Sequence, residues 1–298
     1  MEHGPQISIS LCDGPAVIRM TASMEPAFLA IYTKTFSNTL RDYLLFCGAA
    51  FAICTLLLRR WLPHRKITQK PTGVGAPLRE IGRTIVSNLL GKGPLIVGLA
   101  YLAHEGVIPA KLVYQHVAGH GWAYFALTIA VDVLLFDLWF YLSHRFWLHS
   151  RFAYRHFHIV HHRSVDPTPF ARNAVHQVEG IGNALFHILP VFLMPHHPLA
   201  ILISTQLKGL VGVLSHLGYE IFGSGFSRHW LGRYLVTPVH HHLHHSRNVR
   251  TNFSFLINYD RIFGTQSLDY HDAFEATVTR GRRKSPLGKQ PASAEGRP

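Results

Sequence analysis

The sequence has little charge and few cysteines for its length. Only 15% of its 298 residues are charged, against about 25% in soluble proteins, whereas 48% are hydrophobic. A chain this apolar is not disordered, because disorder requires low hydrophobicity and high charge. Its three cysteines, Cys12, Cys47 and Cys54, are too few for a disulfide framework. The composition therefore favours a membrane protein.

Several signals of other protein classes are also missing. Met1–Met20 lacks a basic segment followed by an apolar core, so no cleaved signal peptide is expected. The segment GVGAPL at 73–78 lacks the third glycine of a dinucleotide-binding fingerprint. The three cysteines form neither a haem-attachment motif nor an iron–sulfur set. If the chain is a redox enzyme, its electrons are expected from a separate carrier.

The charge that is present is mostly basic. The chain has 29 Lys and Arg against 16 Asp and Glu, a formal net charge of +13. A nucleic-acid-binding protein would be rich in charge, so nucleic acid is not an expected partner. The basic residues instead flank apolar runs. By the positive-inside rule, they predict that 59–83, 143–180 and 218–298 lie in the cytoplasm.

Four stretches are apolar enough to enter a bilayer, where a spanning helix needs about 20 residues. They are Tyr43–Leu58, Thr84–Ala103 with GKGP at 91–94, Trp122–Leu142, and 181–217 with PHHP at 195–198. The halves of the last stretch are short, so a re-entrant hairpin and two helices are both open. We predict an all-α integral membrane protein with about four to five transmembrane or hairpin helices and a cytoplasmic, histidine-rich helical cap.

The same patterns predict the domain organisation. Residues 1–39 form an N-terminal segment, and 40–272 form one membrane-embedded domain with its core motifs at 137–265. Residues 273–298 are predicted to be a basic, disordered tail.

Histidines are concentrated in two parts of the chain. Of the 23 histidines, six lie between 144 and 162 and five between 240 and 245, a density typical of metal binding. The spacing i, i+3, i+4 places three imidazoles on one helix face, first in HIVHH and again in HHLHH. These triplets are His158, His161 and His162, and His241, His244 and His245.

A third pair, His144 and His149, is five residues apart, so its rings converge only if the helix ends or bends near His144. Together the three boxes supply eight nitrogen ligands, more than one tetrahedral zinc ion uses. They fit two metal ions with open positions. Imidazole suits zinc, copper, iron and nickel, so ligand type does not choose the metal.

These motifs resemble those of the fatty acid hydroxylase/sterol desaturase superfamily, whose members are membrane-bound non-haem di-iron enzymes. The matching segments are DLWFYLSHRFWLH (137–149), HIVHHRS (158–164), TPFARNAVHQVEG (168–180), TPVHHHLHHSRN (237–248) and NYDRIFGT (258–265). The resemblance implies two iron ions, O₂ and electrons from a ferredoxin or a cytochrome and its reductase. It implies hydroxylation or desaturation of a lipid C–H bond, in a sterol, fatty acyl chain or alkylglycerol.

The resemblance also implies residue roles. The eight histidines of the three boxes match metal ligands, and His216 lies where the family often has another ligand. His176 and Glu179 match an element whose members bind metal or support a ligand, whereas His240 and His242 are expected to be neighbours only. The enzyme is expected in a bacterial inner membrane or the endoplasmic reticulum, with its site on the cytoplasmic side.

Asp137 completes the predicted catalytic residues, which are Asp137, His176 and Glu179. It lies seven residues before His144, nearly two turns away on the same helix face. Since acids inside membranes are costly and usually functional, we expect it to accept a hydrogen bond from a ligand histidine. The alternative is an ion pair with Arg145 or Arg172. Asn248, Asn252 and Asp260 are predicted to order the loop after the third box.

Two other function classes remain open from the sequence. A membrane zinc hydrolase would need a catalytic carboxylate near a three-ligand site, for which Glu179 is the obvious candidate. A metal transporter would place its histidines along a pore within the apolar runs, whereas most of the histidines here flank the runs.

Overall fold

The computed structural model describes residues 24–70, 73–104, 112–247 and 250–280, and these ranges are helical apart from turns, loops and three isolated β-bridges. The all-α prediction is confirmed for this part of the chain. Residues 1–23 and 281–298, which include much of the predicted N-terminal segment and most of the predicted tail, lie outside the described residues, as does Asn248.

The α-helices are α1 (Met24–Ala52), α2 (Gly75–Ser87), α3 (Gly93–His104), α4 (Gly121–Leu142), α5 (Ile159–His162), α6 (Gln177–Leu193), α7 (Pro198–Ser215), α8 (Pro238–Ser246), α9 (Tyr259–Phe263) and α10 (Tyr270–Thr279). Four π-helical segments extend or join them: Ile53–Leu58, Asn88–Lys92, Ser143–Leu148 and Tyr154–His158. Shorter α-helical turns are Arg59–Trp61 and Arg151–Ala153, and 3₁₀ turns are Pro63–Arg65, Val117–Gly119, Pro169–Asn173, Phe226–Arg228 and Gly232–Tyr234.

Three helices of the described chain are long and apolar enough to cross a membrane: Tyr32–Trp61, Gly121–Leu148 and Pro198–Ser215. At most 39% of each apolar window is buried within the chain, so much of its surface is free to face lipid. These helices indicate an integral membrane protein. Helices α3 and α6 have 12 and 17 residues, too few to span alone. Four to five helices in the membrane were predicted, and any beyond these three stay a prediction.

The loops gather at two opposite ends of the helices. At one end, the backbone of Ile67 donates to Gly218 and that of Glu220 donates to Arg65, so the linker after α1 meets the loop after α7. At the other end, the backbones of His196 and Leu112 are hydrogen-bonded, which joins the α6–α7 turn to the segment before α4. The loops predicted for one side therefore lie together, while the cytoplasmic assignment stays a prediction.

Two apolar clusters position the histidine-bearing segments. Tyr43 and Cys47 of α1 pack with Phe170 and with Val213 of α7, and the Tyr43 hydroxyl donates to the Phe170 carbonyl at 2.7 Å. This cluster fixes the 3₁₀ turn between the long helices. The second cluster packs α8 against α10 through five buried residues: Val239, Leu243, Tyr270, Phe274 and Val278.

Helix α10 crosses the domain boundary predicted at residue 272. Phe274 and Val278 follow that boundary and are buried in the second cluster. They pack with Leu243 of α8, the helix that carries the third histidine box. The division into three segments stays a prediction.

Candidate metal centre

A π-helical segment brings His144 and His149 together. In a π-helix, hydrogen bonds join residues five apart, and Ser143–Leu148 has this wider turn. The backbone amide of His149 donates to the His144 carbonyl, and their rings are 4.8 Å apart. The predicted convergence therefore occurs, although by widening of the helix rather than by its ending at His144.

The candidate ligands form two neighbouring groups. In each group the nitrogens available for binding all lie within 4.8 Å of one another. The first histidine group contains His144, His149, His158, His162 and His244, and the second contains His161, His216, His241 and His245. The rings of His162 and His245 stack between the groups at 4.9 Å. All nine predicted metal ligands thus lie in one buried region.

Each triplet box is divided between the groups. His158 and His162 enter the first group while His161 enters the second, and His244 enters the first while His241 and His245 enter the second. A ring on the next helix position points about 100° away, so neighbouring histidines face different groups. The shared helix face that the spacing predicts therefore spans two sites rather than one.

In three of the ligand rings the Nε2 atom carries a lone pair and no proton. The Nδ1 atoms of His144, His244 and His216 donate to the carbonyls of Phe253, Thr251 and Gly212, at 2.7, 2.6 and 2.7 Å. A neutral ring that donates from Nδ1 has only an acceptor at Nε2.

The same Nε2 atoms nevertheless approach one another closely. His144 Nε2 lies 3.0 Å from His158 Nε2 and 3.1 Å from His244 Nε2. In the second group, His241 Nε2 lies 3.1 Å from the Nε2 atoms of His216 and His245. In the first group the Nδ1 atom of His158 is held by Glu179, so all three Nε2 atoms are acceptors. Acceptors at this distance repel unless a cation lies among them, so the first group fits bound metal.

Burial keeps these rings in the protonation state that metal binding requires. It lowers the pKa of His161, His241 and His245 well below the usual value, and neighbouring imidazoles lower it further. The pKa of His162 falls to about 3 for the same reasons. The rings are therefore neutral at physiological pH, with lone pairs free for a cation.

Glu179 supports the first histidine group from behind. Its carboxylate lies 2.9 Å from His158 Nδ1, and both side chains are buried. A carboxylate in this position fixes the ring orientation and directs Nε2 towards the site. Of the two roles expected for Glu179, the geometry favours support of a ligand.

The loop after α8 is ordered by buried polar residues. Asp260 accepts hydrogen bonds from the backbone amides of Phe253 and Ser254 at 2.9 and 2.8 Å. The Asn252 amide donates to the His240 carbonyl at 3.0 Å, and its backbone has a positive φ of 61°. The predicted ordering by Asn252 and Asp260 is confirmed. This loop supplies the Phe253 carbonyl that anchors His144.

The predicted catalytic residue Asp137 contacts backbone amides and not a ligand histidine. Asp137 accepts hydrogen bonds from the backbone amides of Leu256 and Ile257, at 2.8 and 3.1 Å. The expected contact with a ligand histidine is wrong, because both carboxylate oxygens instead hold the loop after the third box. The alternative ion pair is also absent among the described residues, where Arg145 donates to the Tyr141 hydroxyl and Arg172 to the Gly209 carbonyl. The catalytic role of Asp137 stays a prediction.

His176 caps a helix instead of joining a histidine group. Its Nδ1 accepts a hydrogen bond from the Val178 amide at 3.2 Å, as the N-cap of α6, and its ring lies 5.1 Å from Phe157. His240 and His242 also lie outside both groups, which agrees with their expected role as neighbours. His240 Nε2 is 3.7 Å from Asp260.

The carbonyl anchors of the ligand histidines could not be predicted from the sequence. Phe253, Thr251 and Gly212 orient ligand rings through their backbone oxygens, so their side chains do not encode this role. Asn252 lies between two of these anchors and has a positive φ of 61°, a conformation that Asn adopts more readily than most residues.

Comparison with known proteins adds an independent line of support. The profile of the family described as fatty acid hydroxylase matches residues 129–265, a segment that holds all nine candidate ligands. This central part of the chain, which carries the three histidine boxes, is similar to the fatty acid hydroxylase/sterol desaturase superfamily. The resemblance found in the sequence motifs is confirmed.

Several curated members of this superfamily are similar to the chain. Delta(7)-sterol 5(6)-desaturase ERG3B of Gibberella zeae is 30% identical over 156 residues, 51% of this chain and 43% of the relative. Lathosterol oxidase of Rattus norvegicus is 30% identical over 158 residues, 52% of this chain and 50% of the relative. The chain spans about half the length of the curated relatives it matches. No solved structure matches it significantly.

Proposed function

We propose that this chain is a membrane oxidoreductase that binds two iron ions and uses O₂ to hydroxylate or desaturate a lipid C–H bond. The observation that carries the proposal is the approach of unprotonated Nε2 atoms to 3.0–3.1 Å in the first histidine group, with a second group of four histidines beside it. Similarity to sterol desaturases and a lathosterol oxidase supports a lipid substrate.

The number of candidate ligands favours iron over zinc. The first histidine group alone has five histidines, more than a tetrahedral zinc ion uses. Structural and catalytic zinc is usually tetrahedral, whereas iron readily accepts more ligands and leaves positions open for O₂.

The nine histidines of the two groups would hold the metal ions. When bound, iron would supply the O₂ and C–H chemistry, and the chain would position the substrate and exclude water. Phe140 and Phe253 lie 5.0 and 5.7 Å from the His144 ring, and Phe255 lies 4.9 Å from Phe140. These aromatic rings give the first histidine group an apolar wall suited to a lipid chain.

The alternative functions receive less support from the geometry. A zinc hydrolase needs a carboxylate near the metal, but Glu179 contacts His158 at Nδ1, on the far side of the ring from Nε2. A transporter needs ligands along a pore, but the nine candidate ligands gather at one end of the long helices.

The proposed electron donor is an acidic carrier, such as a ferredoxin or a cytochrome with its reductase. Arg79, Arg83 and Arg163 line a surface cavity of about 210 Å³. Arg163 directly follows His162 in the chain, and Arg83 donates to Ser164 at 3.3 Å. Positive charge so close to the histidine groups suits an acidic partner that delivers electrons there.

We further propose that the protein lies in a bacterial inner membrane or in the endoplasmic reticulum, with its site on the cytoplasmic side. The Lys- and Arg-rich linker 59–70 lies at the same end of the helices as the loop after α7. This agrees with the positive-inside rule. Labelling of an introduced cysteine at exposed Arg60 from one side of sealed membranes would test it.

The test of function compares lipids from cells that express the wild type or a His161→Ala, His244→Ala double variant. The double variant removes one ligand from each group. We expect a wild-type product heavier by one oxygen or lighter by two hydrogens, which the variant lacks. His242→Ala is the matched control, because His242 is buried and lies on α8 with His244 but belongs to neither group. Purified protein that contains zinc and shows no iron-dependent O₂ uptake would overturn the proposal.

A further inference from the structure

Three cationic side chains lie near the second histidine group, one of them buried and two partly buried. Lys92 lies in the π-helical segment before α3, Arg172 in the 3₁₀ turn before α6, and Lys208 in α7. All three are close enough to act electrostatically on the ring of His187, a residue of α6. We call Lys92, Arg172 and Lys208 the internal cation cluster.

Only one member of the cluster has a carboxylate partner. Asp132 of α4 lies 2.8 Å from Lys208 Nζ and also accepts a hydrogen bond from the Ser204 hydroxyl. Both partners are buried, with 2–3% exposure. Lys208 is therefore neutralised within the protein, and its charge needs no ligand.

Arg172 has no such partner. One guanidinium nitrogen donates to the Gly209 carbonyl at 2.9 Å, and the group lies over the Phe46 ring at 5.7 Å. A Cβ on Gly209 would come within 2.9 Å of the guanidinium, so this glycine makes room for it. A carbonyl and a ring leave most of the five N–H donors and the full charge available.

Lys92 has neither a hydrogen bond nor an ion pair within the described part of the chain. Arg172 is close enough to repel Lys92 electrostatically, and both cations interact with the Cys47 thiol of α1. Both side chains are partly buried. Two cations that repel one another there favour the binding of an anion, and no carboxylate of the described residues pairs with either of them.

Polar atoms near Lys92 are also unsatisfied. Asn88, four residues earlier on the same helical face, is 2% exposed, and neither its amide nitrogen nor its amide oxygen has a partner. The hydroxyl of Ser87 and the Nδ1 atom of His187 also lack partners. Buried polar groups are normally paired, so these atoms indicate a ligand or water among them.

The cluster lies close to the second histidine group. Gly212 packs against the Arg172 side chain, and its carbonyl accepts the hydrogen bond from His216 Nδ1. A molecule bound at Arg172 would therefore lie close to His216.

We propose that Lys92 and Arg172, with Asn88, bind the oxyanion of an acidic single-chain lipid, a carboxylate or a phosphate. The proposal rests on the proposed function, which it narrows from lipids in general to those with a negatively charged head group. A guanidinium and an ammonium together suit an oxyanion, whereas a neutral sterol hydroxyl would leave both charges unpaired.

Equilibrium binding to the purified full-length protein in a non-ionic detergent tests this. Radiolabelled oleate is displaced by unlabelled oleate, oleyl phosphate, oleyl alcohol or cholesterol. We expect oleate or oleyl phosphate to bind about tenfold or more tightly than oleyl alcohol, as charge-assisted hydrogen bonds require. The tighter of the two acidic lipids identifies the oxyanion. Equal binding of all three oleyl compounds by the wild type would overturn the proposal.

Variants then locate the site. Lys92→Met and Arg172→Met should each remove most of the preference for the acidic lipid without weakening oleyl alcohol. Lys92→Arg should retain it, and Lys34→Met, at an exposed position of α1, is the matched control. A preference that persists in the Lys92→Met, Arg172→Met double variant would also overturn the proposal.

Metal content and O₂ uptake are measured on the same preparations. Failure of the proposed function would appear as absent iron or absent iron-dependent O₂ uptake while the lipid preference persists. Failure of the oxyanion site would appear as an absent preference in an iron-containing, active protein.

Discussion

His161 and His162 are adjacent in the chain, yet their imidazoles belong to different histidine groups. Their ring planes are inclined by 82°. His161 faces His245 at 4.5 Å, and His162 faces His244 at 4.7 Å. The short helix α5 therefore links the two candidate metal sites, and a rotation of this helix would disturb both.

The first prediction concerns metal stoichiometry. His241→Ala removes a ligand of the second group only, and His244→Ala removes one of the first group only. We expect each variant to keep about one of two irons per chain and to lose activity by about 100-fold or more. Iron is measured by mass spectrometry of purified protein, with His242→Ala as the control. Loss of both irons from either variant would contradict independent occupancy and show that the groups bind metal together.

The second prediction concerns Glu179, which contacts His158 from behind at 2.9 Å. Glu179→Ala leaves His158 Nδ1 without its partner, so the ring loses its fixed orientation. We expect the affinity of the first group for iron to fall by about 10- to 100-fold. Glu179→Gln keeps an acceptor oxygen, so its affinity for iron should fall less than that of Glu179→Ala. Iron release to a chelator over time measures the effect, and equal release from all three proteins would contradict it.

How far the sequence could predict the site depends on where each role is encoded. The side chains of His144, His158 and His244 carry metal-binding chemistry wherever the chain places them, and their spacing was informative. The division of His161 from His162 needs the position of α8, which local spacing does not contain. Asp137 illustrates the opposite case, because its charge and depth resembled a catalytic residue while its partners are backbone amides 119 and 120 residues away.

The long helices were predictable for a similar reason. Lipid exposure selects apolar side chains along a whole span, as in Gly121–Leu148, so the signal is summed over many residues. The π-helical segment at its end was not predictable, because one additional residue per turn leaves little trace in composition. The wide turn is nevertheless what aligns His144 with His149.

The third prediction concerns His176, which caps α6 and lies outside both groups. His176→Ala removes one side-chain acceptor at the helix start, at a cost of about 1 kcal/mol in the free energy of unfolding. We expect iron content to be unchanged and thermal stability to fall slightly. His176→Asn, which restores a capping acceptor, should recover the stability. Loss of iron from His176→Ala would instead assign this residue to the metal site.

The fourth prediction concerns the proposed docking of an acidic electron carrier. Arg79 is exposed beside the cavity that Arg83 and Arg163 also line. Arg79→Glu should raise the carrier concentration needed for half-maximal turnover by about three- to tenfold at low salt. The difference should shrink as salt screens the charges. Lys34→Glu is the control, and an unchanged carrier dependence of Arg79→Glu would exclude this face.

The last prediction concerns Glu80, which is 2% exposed and accepts hydrogen bonds from the hydroxyl and backbone amide of Thr168. Burial raises the pKa of Glu80 from 4.5 to about 7 despite these bonds. The folded state then binds more protons than the unfolded state between these values, so stability falls as pH rises from about 4.5 to 7. Glu80→Gln cannot ionise, and its stability relative to the wild type should increase by up to about 3 kcal/mol across this window. Thermal midpoints measured between pH 5 and 8 test this, and a constant difference between the two proteins would show that Glu80 ionises normally.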